Sequence, residues 1–143
     1  MTLVGAKNET EKQIFEGLRY SLGFENSDEV HSFFKNFLDE CEKCDSCNLN
    51  IANRVLIHKA SDFRVKPEYA QRLLEVYKAE VNEANFETET NEILKSCNEW
   101  VNKKTNGKIP SILDSLSKLA RAVLINAIYF KGMWQYPDKS AIV

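Results

Sequence analysis

Four cysteines are the residues of this 143-residue chain best suited to chemistry. Cys41, Cys44 and Cys47 recur at every third position, and Cys97 lies far from them in sequence. Such a set could ligate zinc or part of an iron–sulfur cluster. Against that, Cys41 falls on the apolar stripe of a helix-like stretch, where small cysteines serve as core. Cys44 and Cys47 flank a connection from that helix to a strand. Free thiols are the favoured reading, a disulfide comes second and a metal site third, so no metal ligand is assigned and no cofactor is expected. His31 and His58 are the only histidines, and the sequence has neither a nucleophile elbow nor a glycine-rich nucleotide loop. No catalytic residue is therefore assigned, and independent catalysis is not expected. Asn8-Glu9-Thr10 is an N-glycosylation sequon, usable at Asn8 if the chain enters the secretory pathway.

Composition narrows the classes further. A chain with 43% hydrophobic and 28% charged residues is ordinary for one globular domain with a real core. A net charge of −2 gives no general affinity for nucleic acid or anionic membranes. No apolar run approaches the roughly 20 residues that span a bilayer.

The elements that must position these residues read from periodicity. Thr10 and Gln13 have capping-box spacing ahead of Ile14, Phe15, Leu18 and Leu22, which predicts a helix over Thr10–Leu22 stopped by Gly23. Val30, Phe33, Phe34, Phe37, Leu38 and Cys41 follow the helical period over Ser27–Lys43, with Asp28 and Glu29 at the positive end of the dipole. From Leu49 to Ile57 the period changes to two, which predicts a half-buried strand. Pro67 opens a helix facing inward with Ala70, Leu73, Leu74 and Tyr77. A short extended stretch over Glu80–Phe86 precedes a helix opened by Thr90 and closed by Gly107, with Ile93, Cys97, Trp100 and Val101 inward.

Ala122–Phe130 is almost wholly apolar, which predicts a strand covered on both faces. Asn126 interrupts it, and a buried amide without partners costs about 1–3 kcal/mol. Asn126 is therefore expected to fasten the strand to its neighbour. Helices followed by alternating strands and helices imply an α+β fold, yet few strands are available to flank so apolar a strand. The expected architecture is incomplete.

At this point the residues match a family. Asn126-Ala127-Ile128-Tyr129-Phe130-Lys131-Gly132, followed by Trp134, resembles the serpin signature on the third strand of its main sheet. Trp100 to Ile109, reading WVNKKTNGKI, resembles the end of that family's helix F and the turn after it. Ile51-Ala52-Asn53, Ala79-Glu80-Val81 with Phe86, and Gly5-Ala6-Lys7 are similar to shorter serpin motifs in the same order. Departures exist: Ala120 stands where Thr is usual, Asp138 where Phe is common, and Lys139 to Val143 match nothing.

The resemblance implies a partial serpin domain over residues 1–138 with an unmatched tail at 139–143, its helices packed on strands of an incomplete main β-sheet. It implies a parent that inhibits a serine or cysteine peptidase by inserting its cleaved reactive loop into that sheet. The reactive bond lies outside this chain, and the segment alone is expected not to inhibit. Asn126, Trp134 and Trp100 become scaffold positions for sheet opening, each also readable as plain packing. The rival reading is a non-inhibitory relative that binds or stores. Some serpins bind heparin through the second helix found here, but Lys35 and Lys43 are outnumbered there by Asp28, Glu29, Asp39, Glu40 and Glu42, so heparin is not an expected partner. The family suggests an extracellular protein, with which the Asn8 sequon is compatible, and an intracellular one is the alternative.

Overall fold

The structure, a computed structural model, describes residues 1–43, 47–59 and 64–132. A short helix α1 (Thr2–Gly5) leads into α2 (Asn8–Gly17) and a 3-10 turn at Tyr20–Leu22. The single helix expected over Thr10–Leu22 is thus two elements. It starts two residues early with Lys7 as N-cap, so Thr10 lies inside the helix and cannot cap it. Gln13 bonds Glu9 one turn back instead, and the chain breaks where Arg19 takes a left-handed φ of 56°.

Helix α3 (Ser27–Glu42) begins where the pattern placed it. Asn26 caps it by accepting from the Glu29 N–H at 3.0 Å, while the Glu29 carboxylate accepts from the Glu25 N–H at 2.8 Å. Val30, His31 and Leu38 are buried, whereas Phe33 and Phe37 are exposed and stack on each other with an interplanar angle of 11°. The apolar stripe of α3 is wider than the surface available to cover it.

Three strands follow: β1 (Cys47–His58), β2 (Glu80–Ala84) and β3 (Ala122–Gly132). Their order is β2-β1-β3, with β1 parallel to β2 and antiparallel to β3. Parallel strands need a crossover, and α4 (Pro67–Tyr77) supplies it, with Pro67 in its first turn. Lys78 ends α4 in the left-handed conformation and pairs its ammonium with Asp39 and Glu42 of α3. Leu73 and Tyr77 face inward from α4, but Leu74 is exposed, because neighbours on a helix point about 100° apart. Helix α5 (Thr90–Lys104) lies on the opposite side of the sheet. Among the described residues no helix is long and apolar enough to cross a membrane.

Two cores sandwich the sheet. On one face Val55 and Ile57 of β1 meet Val4, Leu73, Tyr77 and Ala79. On the other, Leu56, Ile125 and Ala127 meet Phe86, Ile93, Cys97 and Val101. Because side chains alternate along a strand, the consecutive burial of Val55, Leu56 and Ile57 shows β1 covered on both faces. The same was expected of β3 and does not hold. Ile125 and Ala127 are buried under α5, but Leu124, Ile128 and Phe130 on the other face are 42%, 57% and 66% exposed. Helices α1, α3 and α4 cover β1 and stop short of β3, so the outer face of that strand has no lid among the described residues.

Candidate functional site

The seam between β1 and β3 carries two asparagines in register. Asn53 sits opposite Asn126, and both point to the face lined by α1, α3 and α4. The Asn126 Nδ2 donates to Asn53 Oδ1 at 2.9 Å, and the Asn53 Nδ2 donates to the Tyr77 carbonyl at 2.8 Å. Asn126 does fasten β3 to its neighbour. Its side chain is not buried, however, because the uncovered face of β3 leaves it open to solvent. Asn53 is the buried partner, 7% exposed. Both asparagines lie in a groove of about 380 Å³ walled by Phe37, Leu38, Tyr77 and Ile128.

The polar chain continues past Tyr77. Its hydroxyl is hydrogen bonded to His31 Nδ1 at 2.8 Å, and the two rings meet edge to face. Burial pushes the Tyr77 phenol up to about 12, so it stays a neutral hydroxyl. Burial, helped by the Arg72 guanidinium, lowers the His31 pKa below its ordinary value, so the imidazole is neutral in the fold. The second histidine, His58, is buried and uses Nδ1 to accept from the Phe86 N–H at 3.1 Å. Both histidines therefore have structural partners, and the hydroxyl that His31 meets is the Tyr77 phenol, which burial keeps neutral.

On the opposite face, Trp100 is a polar joint more than a core residue. Its indole N–H donates to Glu80 Oε2 at 2.9 Å, and the Lys104 ammonium approaches the other carboxylate oxygen at 3.3 Å. The Arg54 guanidinium and the Lys104 ammonium each lie 5.7 Å from the indole centroid, within cation–π range. Burial works to raise the Glu80 pKa, but the bonds from Trp100 and Lys104 outweigh it and hold the carboxylate below its usual range. Arg54 also donates to Asn82 Oδ1 on β2 and to the Ser96 carbonyl and hydroxyl on α5. Beyond α5, Asn98 accepts from the N–H groups of Ile112 and Leu113 and donates to the Leu113 carbonyl, which pins the return chain to the helix.

Five sequence candidates stand elsewhere. Trp134 and Cys44 lie outside the described residues. Cys41 and Cys97 are free thiols on opposite sides of the sheet, α3 on one and α5 on the other, so they cannot pair with each other. Burial raises the Cys97 thiol pKa, which makes it a poor nucleophile. Asn8 is exposed at the first turn of α2 with a left-handed φ of 54°. Sequence reasoning missed Asn53, Arg54 and Glu80 as site residues. Asn53 carried little signal, being one of three asparagines in β1, and the importance of Glu80 comes from a helix twenty positions away.

Known proteins resemble this chain in sequence and in fold. The family described as Serpin (serine protease inhibitor) matches residues 1–142. Serpin B8 of Bos taurus is 38% identical over 137 residues, covering 94% of this chain and 35% of that protein. The leukocyte elastase inhibitor of Bos taurus is 36% identical over 138 residues, covering 94% and 35%. Among solved structures, emu ovalbumin superposes with a TM-score of 0.82 at 30% identity, covering 94% of this chain and 38% of that one. The chain thus spans about 35% of the length of the curated relatives it matches. Motif order, sheet topology and these likenesses agree: the chain belongs to the serpin family, which is described as serine protease inhibitors rather than as enzymes.

Proposed function

We propose that this chain supplies the sheet scaffold of a serine peptidase inhibitor that acts by loop-insertion trapping, and that the segment alone does not trap. The observation that carries the reading is the position of β3. It is an edge strand in the described sheet, fastened to β1 through Asn126 and Asn53, with its outer edge unpaired. A strand placed there gains backbone hydrogen bonds along its length, the chemistry of β-strand addition. In a full-length inhibitor a peptidase would cleave the exposed loop and form an acyl-enzyme with it. Insertion of that loop would then drag the enzyme across the sheet. Helix α5 lies over the inner face of β3 and would have to yield as the sheet widens.

Serine peptidases are the first expectation, from the family description and the leukocyte elastase inhibitor among the relatives; cysteine peptidases belong in the same assay. Titration of both classes, followed by a denaturing gel, tests the reading. The 143-residue chain should give no stable adduct, and any adduct would refute its proposed inability to trap. A full-length protein carrying this segment should give an adduct with at least one serine peptidase. Failure across the panel would favour a binding or storage role. We further propose an extracellular protein, supported by the exposed Asn8 sequon; a mass unchanged by N-glycosidase in material from the native source would remove that support.

A further inference from the structure

We propose that Arg54 and Glu80 form a polar latch that sets how readily α5 lifts from the sheet, and hence how fast the sheet opens, without either residue meeting a peptidase. The kinetic consequence rests on the trapping reading; the latch itself is a property of this chain.

The contact between α5 and the sheet has two unlike halves. Over β3 it is apolar, with Ile93, Cys97 and Val101 in the cluster that buries Ile125 and Ala127. Such contact is non-directional and is lost gradually as surfaces slide. Over β1 and β2 directional bonds are added to an apolar base that includes Leu56 and Ala84. Glu80 receives two donors one helical turn apart, Trp100 at 2.9 Å and Lys104 at 3.3 Å. Arg54 ties three elements together. Its Nε donates to Asn82 of β2 at 3.2 Å, and both terminal nitrogens reach Ser96 of α5 at 3.4 Å. Hydrogen bonds weaken steeply as distance and angle leave their optimum, so this half responds to displacement in a way the apolar half does not.

Helix α5 is therefore held by directional bonds along the β1–β2 side and by apolar packing alone over β3, the strand beside which a newcomer would enter. The geometry makes the Arg54–Glu80 line a pivot. While it holds, α5 can tilt away from β3 but not leave the sheet; once it breaks, the apolar contact and the Asn98 bonds to the return chain are what still restrain the helix. Glu80 and Lys104 have side chains 45% and 41% exposed, so salt should weaken the pivot.

Hydrogen exchange on the 143-residue chain tests the latch. In Glu80→Gln and Arg54→Met, amide protection across Thr90–Lys104 should fall about tenfold relative to the unaltered chain, as expected for loss of charge-assisted bonds, while β1 and β3 keep theirs. Unchanged α5 protection would overturn the proposal, as would a loss shared equally by all three elements. Should either variant fail to fold, the unaltered chain decides: α5 protection must drop selectively between low and about 0.5 M salt, where screening is strong. In a full-length inhibitor, Glu80→Gln should speed covalent-complex formation. Complex formation at an unchanged rate with a loosened α5 would refute the kinetic role. A loosened α5 in a protein that never forms a complex would sink the trapping reading and leave the latch standing.

Discussion

Asn53 uses both ends of its amide: Nδ2 donates to the Tyr77 carbonyl and Oδ1 accepts from Asn126. Because Asn53 is buried and Asn126 is open to water, the two should respond differently to truncation. Asn53→Ala leaves the Tyr77 carbonyl without that donor and should cost about 2–3 kcal/mol, whereas solvent replaces the lost partner in Asn126→Ala at about 1 kcal/mol. Urea unfolding of both single variants and the double variant measures this, and a coupling of about 0.5 kcal/mol or more is expected for side chains in contact. His31 offers a second measurement at this scale. Burial lowers its pKa in the fold below the ordinary 6.5, so from 6.5 downward the unfolded chain takes up a proton that the folded chain refuses. The His31 contribution to stability is complete above that value and is lost as pH falls through the lowered folded pKa. Replacing His31 with Gln should flatten the stability–pH profile on the acid side of 6.5; an identical profile would mean that the imidazole is not held neutral.

Among the elements, α1 and α4 depend on one small residue. A Cβ added to Gly5 would lie 2.5 and 2.7 Å from ring atoms of Tyr69, closer than carbon atoms approach. The constraint is space, since Gly5 lies within a right-handed helix and is not among the positive-φ residues. Gly5→Ala should therefore cost about 1–3 kcal/mol through overpacking, and Tyr69→Leu in the same chain should recover part of it. Thermal or urea melts of the pair check this; a neutral Gly5→Ala would show the ring moving aside freely. The same scale shows which elements a sequence can reveal. Helix α3 was legible because its acidic first turn and its period agree, and the Asn26 cap that starts it fits the same boundary. Helix α2 was not, because capping-box spacing at Thr10 and Gln13 competes with a start at Lys7 that has no side-chain signature. β3 was legible as a strand but not in its burial. Eight apolar residues interrupted only by Asn126 look alike whether a second layer covers them or not, and coverage depends on how far α1, α3 and α4 reach.

For the whole molecule, that missing coverage governs behaviour in solution. The described sheet ends at β3, whose outer edge pairs with no described strand and whose open face presents Leu124, Ile128 and Phe130 beside the exposed ring of Phe37. An unpaired edge next to an apolar face is a template for pairing with another chain. An apolar surface of this kind adds an area-dependent attraction of roughly 25 cal/mol per Å² covered. The net charge of −2 gives little long-range repulsion to oppose it. Expressed alone, the 143-residue chain should self-associate in a concentration-dependent way, measurable by sedimentation velocity. Ile128→Lys places a charge at the centre of the open face, away from α5 and its core, and should shift the population toward monomer without loss of helix content. If the unaltered chain sediments as a monomer and melts in one sharp transition, the edge and open face of β3 are not adhesive. The three strands and five helices would then be a self-sufficient unit.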